Sequence, residues 1–278
     1  MNSSWRSILL HVDAQPASVA RLEVALELAE RHDGRITALF AALNPAMETS
    51  FTYSAGAAYD ELSVARRQQW RDLAVERLRR AGGNDDSRIA WFDLAGDAFV
   101  SGFVAESAYA DLLVVGAPSA GTVTGGPPAG FVESVIVESG RPALVVPAAG
   151  PPRGGLGRRV LIAWDGSPQA ARALAAALPL LRSAEAVHVA SWSSASPCAP
   201  CSGLPIEGFL ARHEVTAQVH ARGPSTHVGD ELAALTRHVA ADLVVMGCYR
   251  HGRAREWMLG GVTRSMLHVA RLPLLMAH

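Results

Sequence analysis

Gly247, Gly260 and Gly261 are the residues whose type and spacing most directly suggest chemistry. Gly247 follows the apolar run Leu243–Met246, and Gly260 and Gly261 precede Val262–Ala270, which carries a helical pattern. A glycine-containing turn that opens into a helix offers unpaired backbone N–H groups and the positive end of the helix dipole. That combination suits an anion, most often a phosphate. Asp165 is the second candidate. It ends the apolar run Val160–Trp164 and stands three residues before Pro168. In doubly wound sheets ligands lie beyond the carboxyl ends of the strands, where the strand order reverses. An aspartate at such an end can accept from a ribose hydroxyl or an exocyclic amine. Asp165, like Asp13 ahead of Pro16, also reads as a helix N-terminal cap, and the residues alone do not separate the two roles. Arg250, inside the same loop, can clamp a phosphate or fill the pocket with its own side chain. With His251, Arg253 and Arg255 it makes a small basic segment that reads either as an anion funnel or as a solvated surface.

Other chemistry finds less support. Cys198 and Cys201 form a CxxC in a Pro-rich loop. A redox or metal site would need a helix N-terminus to lower the thiol pKa or a second ligand pair, and neither is evident. Cys248 has no recognisable His/Asp partner pattern. His213, His220 and His227 are evenly spaced but fall in a helix, a strand and a loop, so their spacing does not bring them together. There is no Lys anywhere in the chain, which excludes a Lys nucleophile and a P-loop lysine. G-x-S-x-G and H-E-x-x-H are absent as well.

The elements that must position these residues are strands alternating with helices. Expected strands are Ile8–Val12, Ile36–Ala41, Arg88–Phe92, Leu112–Val115 and Ala143–Val146, then Val160–Trp164, Val187–Ala190, Val215–Ala221, Leu243–Met246 and Leu274–Met276. Helices are expected after Pro16 with Gly34 as stop, over 59–81, from a cap at Asp97 to Tyr109, over Phe131–Ser139, after Pro168, over 207–212, over Val228–Ala240 and over Val262–Ala270. This is the pattern of α/β proteins with a parallel sheet covered on both faces. Pro147–Arg159 is dense in Pro and Gly and reads as a linker.

The pattern runs twice. Asp13 and Pro16 match Asp165 and Pro168 at the same separation, and DLLVVG (Asp111–Gly116) matches DLVVMG (Asp242–Gly247). From that glycine to the proline before the last strand, Gly116 to Pro142 and Gly247 to Pro273, is 26 residues in both halves. The chain is therefore read as two copies of one α/β unit: residues 1–148, a linker 149–158, and residues 159–278. In the first copy, Pro127 and Pro128 remove two N–H donors just before the helix, so a phosphate cradle is expected only in the second.

These residues resemble the universal stress protein family in its tandem form, over both halves and outside the linker. The resemblance implies two Rossmann-like units of the adenine nucleotide alpha hydrolase type, each with a five-stranded parallel sheet. It also implies that they pack as an internal pseudo-dimer through their fifth strands, Ala143–Val146 and Leu274–Met276. Nucleotide-binding members of the family have Asp after the first strand and Gly-x2-Gly-x9-Gly-Ser/Thr after the fourth. Carried over, Asp165 matches the Asp, and Ala163 and Val189 lie beside the expected adenine. Met246 and Gly247 match the first glycine of the signature and Gly260 the third. Arg250 stands where the second glycine is expected, and Gly261 stands where Ser/Thr is expected; Val262 follows, and Thr263 is the nearest hydroxyl. In the first half Asp13 is kept, but Ser119, Ala129 and Gly130 occupy the corresponding positions.

The resemblance thus implies a stress-associated protein that binds ATP or another adenine nucleotide, with Mg2+, in its second half, and that performs slow hydrolysis at most. No general base is identifiable. The alternative reading is a protein-interaction scaffold that binds no nucleotide, with protein partners that the sequence does not identify. A third is a redox or metal protein using Cys198 and Cys201. Composition sets the remaining bounds. Hydrophobic residues make up 49% and charged residues 18%, so a sizeable core can be buried. A formal net charge of -1 gives no reason to expect nucleic acid or an anionic membrane. No apolar run reaches the length of a membrane span, three Cys make no disulfide framework, and a cytoplasmic setting is expected. Dimers of the tandem chain are compatible with all of this.

Overall fold

Runs such as Leu112–Val115 and Leu243–Met246 are apolar without alternation, so a strand made from them must be covered on both faces. The computed structural model of the 278-residue chain places them so; it describes residues 4–42, 56–83, 87–94, 99–118, 124–151, 154–192, 205–249, 261–269 and 271–278. Two bodies emerge from its contacts, one made of Trp5–Arg141 and Val146–Gly150, the other containing Pro142–Val145 and Pro151–His278.

The N-terminal body contains β1 (Ser7–Val12), α1 (Ala17–His32), β2 (Arg35–Phe40), α2 (Gly56–Leu78), β3 (Ile89–Asp93), α3 (Phe99–Ser107), β4 (Leu112–Gly116) and α4 (Phe131–Ser139). Its strands lie in the order β3-β2-β1-β4, all parallel. α2 continues as a π-turn over Arg79–Gly83, so this helix runs on beyond the expected 59–81 at both ends. Asp97, expected to cap the next helix, lies outside the described residues.

The C-terminal body contains β5 (Ala143–Val146), β6 (Arg159–Trp164), α5 (Pro168–Leu181), β7 (Ala186–Trp192), α6 (Ile206–Arg212), β8 (Ala217–Arg222), α7 (Val228–His238), β9 (Leu243–Gly247), α8 (Gly261–Val269) and β10 (Leu274–Ala277). Its strands follow the order β5-β10-β9-β6-β7-β8. All neighbours are parallel except β5 and β10, which run antiparallel with Leu274 opposite Val145 and Met276 opposite Ala143. The fifth strands therefore meet as expected, and β5 belongs by its contacts to the C-terminal body although its sequence belongs to the first repeat.

The aspartates of DLLVVG and DLVVMG are staples. Asp111 Oδ2 accepts from the backbone N–H groups of Arg6 and Ser7, both at 2.9 Å. Asp242 accepts from the N–H groups of Gly157 (2.8 Å), Arg158 (3.0 Å) and Arg159 (2.9 Å). In each repeat the start of the fourth strand thus fixes the start of the first. Gly34 departs from expectation. The helix C-cap is Asp33, in the left-handed region with φ 50, while a side chain on Gly34 would sit 2.5 Å from the Trp5 carbonyl oxygen. Glycine is required there by close approach of two backbones, not by the helix stop.

Candidate functional site

In each body the first strand lies between the second and the fourth, so the strand order reverses between β1 and β4 and between β6 and β9. In doubly wound sheets it is at the carboxyl ends of such pairs that a ligand crevice lies. In the C-terminal body this brings Asp165, just after β6, beside Gly247 at the end of β9. Ala163 and Met246 are partners in the β6–β9 register and share one face of the sheet. Val189 pairs with Ile162 and is fully buried on the opposite face, so its side chain is not brought together with theirs.

Gly247 packs against the first turn of α5. A side chain there would lie 2.5 Å from the Ala170 nitrogen and 2.8 Å from the Gln169 carbonyl carbon. The helix N-terminus and the strand end are thus joined with no space for a Cβ. Ser167, not Asp165, caps α5: its hydroxyl accepts from Ala170 N–H at 3.1 Å, and Pro168 opens the helix. Asp165 is exposed and accepts from Ser167 N–H at 2.9 Å, a turn two residues long. The N-cap reading of Asp165 is therefore replaced by a tight turn that holds the carboxylate at the crevice mouth.

The far side of the crevice begins with Cys248. Its N–H donates to the Ala277 carbonyl at 3.0 Å and its thiol to the same oxygen at 3.3 Å. His278 Nδ1–H donates to the Cys248 carbonyl at 3.1 Å, and Arg172 of α5 donates to the His278 carbonyl at 2.7 Å. Burial pushes the Cys248 thiol up to about 12, so it stays protonated and is no nucleophile. Tyr249 then turns the chain at φ 51, a region that aromatic residues rarely occupy. Arg250 and Gly260 lie outside the described residues, as do Cys198 and Cys201. Gly261 opens α8 and is exposed, with open space where a Cβ would stand. Val262 is half-buried and Thr263 is buried.

The N-terminal body presents a different crevice. Asp13, at the end of β1, is buried and pairs with Arg21 Nη2 at 2.9 Å. It accepts from the Ser18 hydroxyl at 2.8 Å and from Gln15 N–H at 2.9 Å. Pro16 stands at the N-cap of α1 without a side-chain cap, so Asp13 is no cap either. Burial pushes the Asp13 carboxyl up, but Arg21, His11, Ser18 and Gln15 together outweigh it and hold it below its usual value. His11 donates from Nε2 to the Ala41 carbonyl at 2.9 Å and packs among Phe99, Phe103 and Phe131. Burial pushes its pKa down to about 4, assisted by Arg21 and opposed by Asp13 and the Ala41 carbonyl.

Sequence reasoning missed two groupings. Arg21 was legible, since it falls on the buried stripe of α1 with Ser18, Leu22 and Ala25. The second is a histidine pair. His188 Nδ1 lies 3.1 Å from His220 Nε2 across β7 and β8. Burial lowers both pKa values; the Coulombic contributions next in order come from His220 on His188 and from Arg222 on His220. Only the strand register reveals that pair. Among the described residues no group of three or more His, Cys, Asp or Glu is placed to hold a metal ion. No described helix is long and apolar enough to cross a membrane.

A parallel sheet with a glycine, an aspartate and a helix N-terminus at its switch point defines a Rossmann-like class of α/β protein. The sequence profile of the Universal stress protein family matches residues 4–147, and the chain belongs to that family. It is 26% identical over 226 residues to a universal stress protein of Mycobacterium tuberculosis H37Rv, covering 73% of this chain and 74% of that one. The crystal structure of a universal stress protein from Archaeoglobus fulgidus superposes with a TM-score of 0.68 at 18% identity, over 98% of this chain and 97% of its own. A putative universal stress protein from Pseudomonas aeruginosa gives 0.59 at 17% identity, over 98% and 93%. These likenesses establish the shared fold.

Proposed function

We propose that the C-terminal body binds ATP or another adenine nucleotide, with Mg2+ accompanying it, and that the protein is a cytoplasmic stress-associated protein without robust catalysis. The observation that carries this reading is the exposed Asp165 carboxylate, held by its turn at the β6–β9 switch point beside Gly247. It suits a ribose hydroxyl, and the N-terminus of α8 at Gly261 suits the phosphates. The chain's own residues bind and orient here. The buried thiol of Cys248 offers no nucleophile.

Titration calorimetry with Mg-ATP tests the reading. Wild-type protein is expected to bind in the micromolar range, and Asp165→Ala is expected to weaken binding by at least tenfold, since hydrogen bonds to charged groups contribute about 1.5–3 kcal/mol. No heat at millimolar ATP would sink the nucleotide reading and favour a protein-interaction scaffold.

A further inference from the structure

We propose that Arg21 is a built-in occupant of the N-terminal crevice and the residue that closes that crevice to a ligand. Arg21 sits in the second turn of α1 and is 3% exposed. Its Nη2 contacts Asp13 Oδ1 at 2.9 Å and donates to Ser18 Oγ at 2.6 Å, and its Nε donates to the His11 carbonyl at 3.0 Å. A side chain on Gly116 would collide with Arg21 Nη1. The aspartate at the end of β1 and the open space beside the glycine at the end of β4 are therefore both taken up by one guanidinium.

The mouth is built over as well. Ala14 N–H donates to the Gly125 carbonyl at 3.0 Å, and Gln15 Nε2 donates to the Thr124 carbonyl at 2.6 Å. Arg77 of α2 donates to the Ala14 carbonyl, and Gly125 lies against the Trp70 ring. Among the described residues the second repeat has no arginine at the corresponding helix position. Aligned on the shared Asp/Pro spacing, Ala173 stands where the first repeat has Arg21 and Ala170 where it has Ser18. Both alanines are buried, and Asp165 is exposed. At this helix position the first repeat thus carries a guanidinium and the second a methyl group.

The chemistry of the closed crevice follows. A buried carboxylate facing a cavity of guanidinium shape selects a small planar cation, since a phosphate brought there would meet Asp13. If Arg21 is cut back, the ligand class that fits is a free guanidinium. This inference concerns the N-terminal body and is read by thermal unfolding, so it stands or falls apart from nucleotide binding by the C-terminal body.

The test uses full-length Arg21→Ala. Its Tm is expected to fall by roughly 5–10 °C, and millimolar methylguanidinium, but not urea, should recover at least half of that loss. The double variant Asp13→Asn/Arg21→Ala should show no such recovery. A Tm equal to wild type, equal rescue by urea, or rescue of the double variant would overturn the proposal. Should Arg21→Ala not fold, arginine side-chain NMR of the wild type, with Arg21→Lys for assignment, decides instead. Guanidinium protons of Arg21 protected from water exchange support the proposal; exchange as fast as that of exposed arginines overturns it.

Discussion

Asp242→Ala is expected to cost about 3–4 kcal/mol of folding stability, because it strips acceptors from several buried or half-buried donors at once. Gly157 N–H is buried, and those of Arg158 and Arg159 are part-buried; all three donate to this one carboxylate. Water can replace the acceptor for the outer two but reaches the first poorly. The charge itself is not what stabilises the fold. Burial pushes the Asp242 carboxyl up, and the three backbone donors, with Arg158, only partly offset it. Asp242→Asn keeps one acceptor oxygen without the charge, so it should lose less than half as much. Asp111→Ala is the internal control. Its two donors lie at an exposed position, so its loss should be about 1 kcal/mol. Urea unfolding of the three variants checks the order; equal losses for Asp242→Ala and Asp111→Ala would contradict it.

Acid is the second large lever. His11 has a folded-state pKa of about 4 against an ordinary value of 6.5. Below pH 6.5 the unfolded chain takes up a proton there that the folded chain refuses. Stability is therefore fully present above pH 6.5, falls as the pH drops, and levels off near pH 4, with a loss of about 3 kcal/mol from this residue. Asp13 adds in the same direction. Its folded-state pKa lies below 3.8, so its contribution is present above that value and is lost as the pH falls further. Denaturation midpoints at pH 7, 5.5 and 4 measure the sum. His11→Phe, which keeps a ring among Phe99, Phe103 and Phe131, should flatten the profile between pH 6.5 and 4 relative to wild type. An unchanged slope would remove His11 as the cause.

Much of this architecture was legible before any coordinates. The unalternating runs at Leu112–Val115 and Leu243–Met246 announced buried parallel strands, and the matched spacings of Asp, Pro and Gly announced the repeat. What stayed hidden depended on register or on depth. His188 and His220 are 32 residues apart and meet only because β7 and β8 align Ala190 with His220. Gly34 looked like a helix stop because glycine usually is one, whereas the close backbone of Trp5 is its reason here. Arg21 was visible as a charge on an apolar stripe, but the strand order was needed to show that it points at Asp13. For Asp165 the sequence left cap and ligand acceptor even; the Ser167 cap removes the first. Gly260, on which the phosphate expectation leaned, and Arg250, which could clamp a phosphate or fill the pocket, lie outside the described residues.

The antiparallel partnership of Ala143–Val146 with Leu274–Ala277 separates where the gene repeats from where the molecule divides. A fragment beginning at Arg159 would leave the outer rim of β10 bare, with a row of hydrogen-bonding groups open to any passing strand. A fragment ending at residue 148 would carry β5 away from its hydrogen-bonding companion. Neither half is therefore a self-sufficient module as the repeat defines it: β5 is encoded by the first repeat and pairs with the last strand of the second.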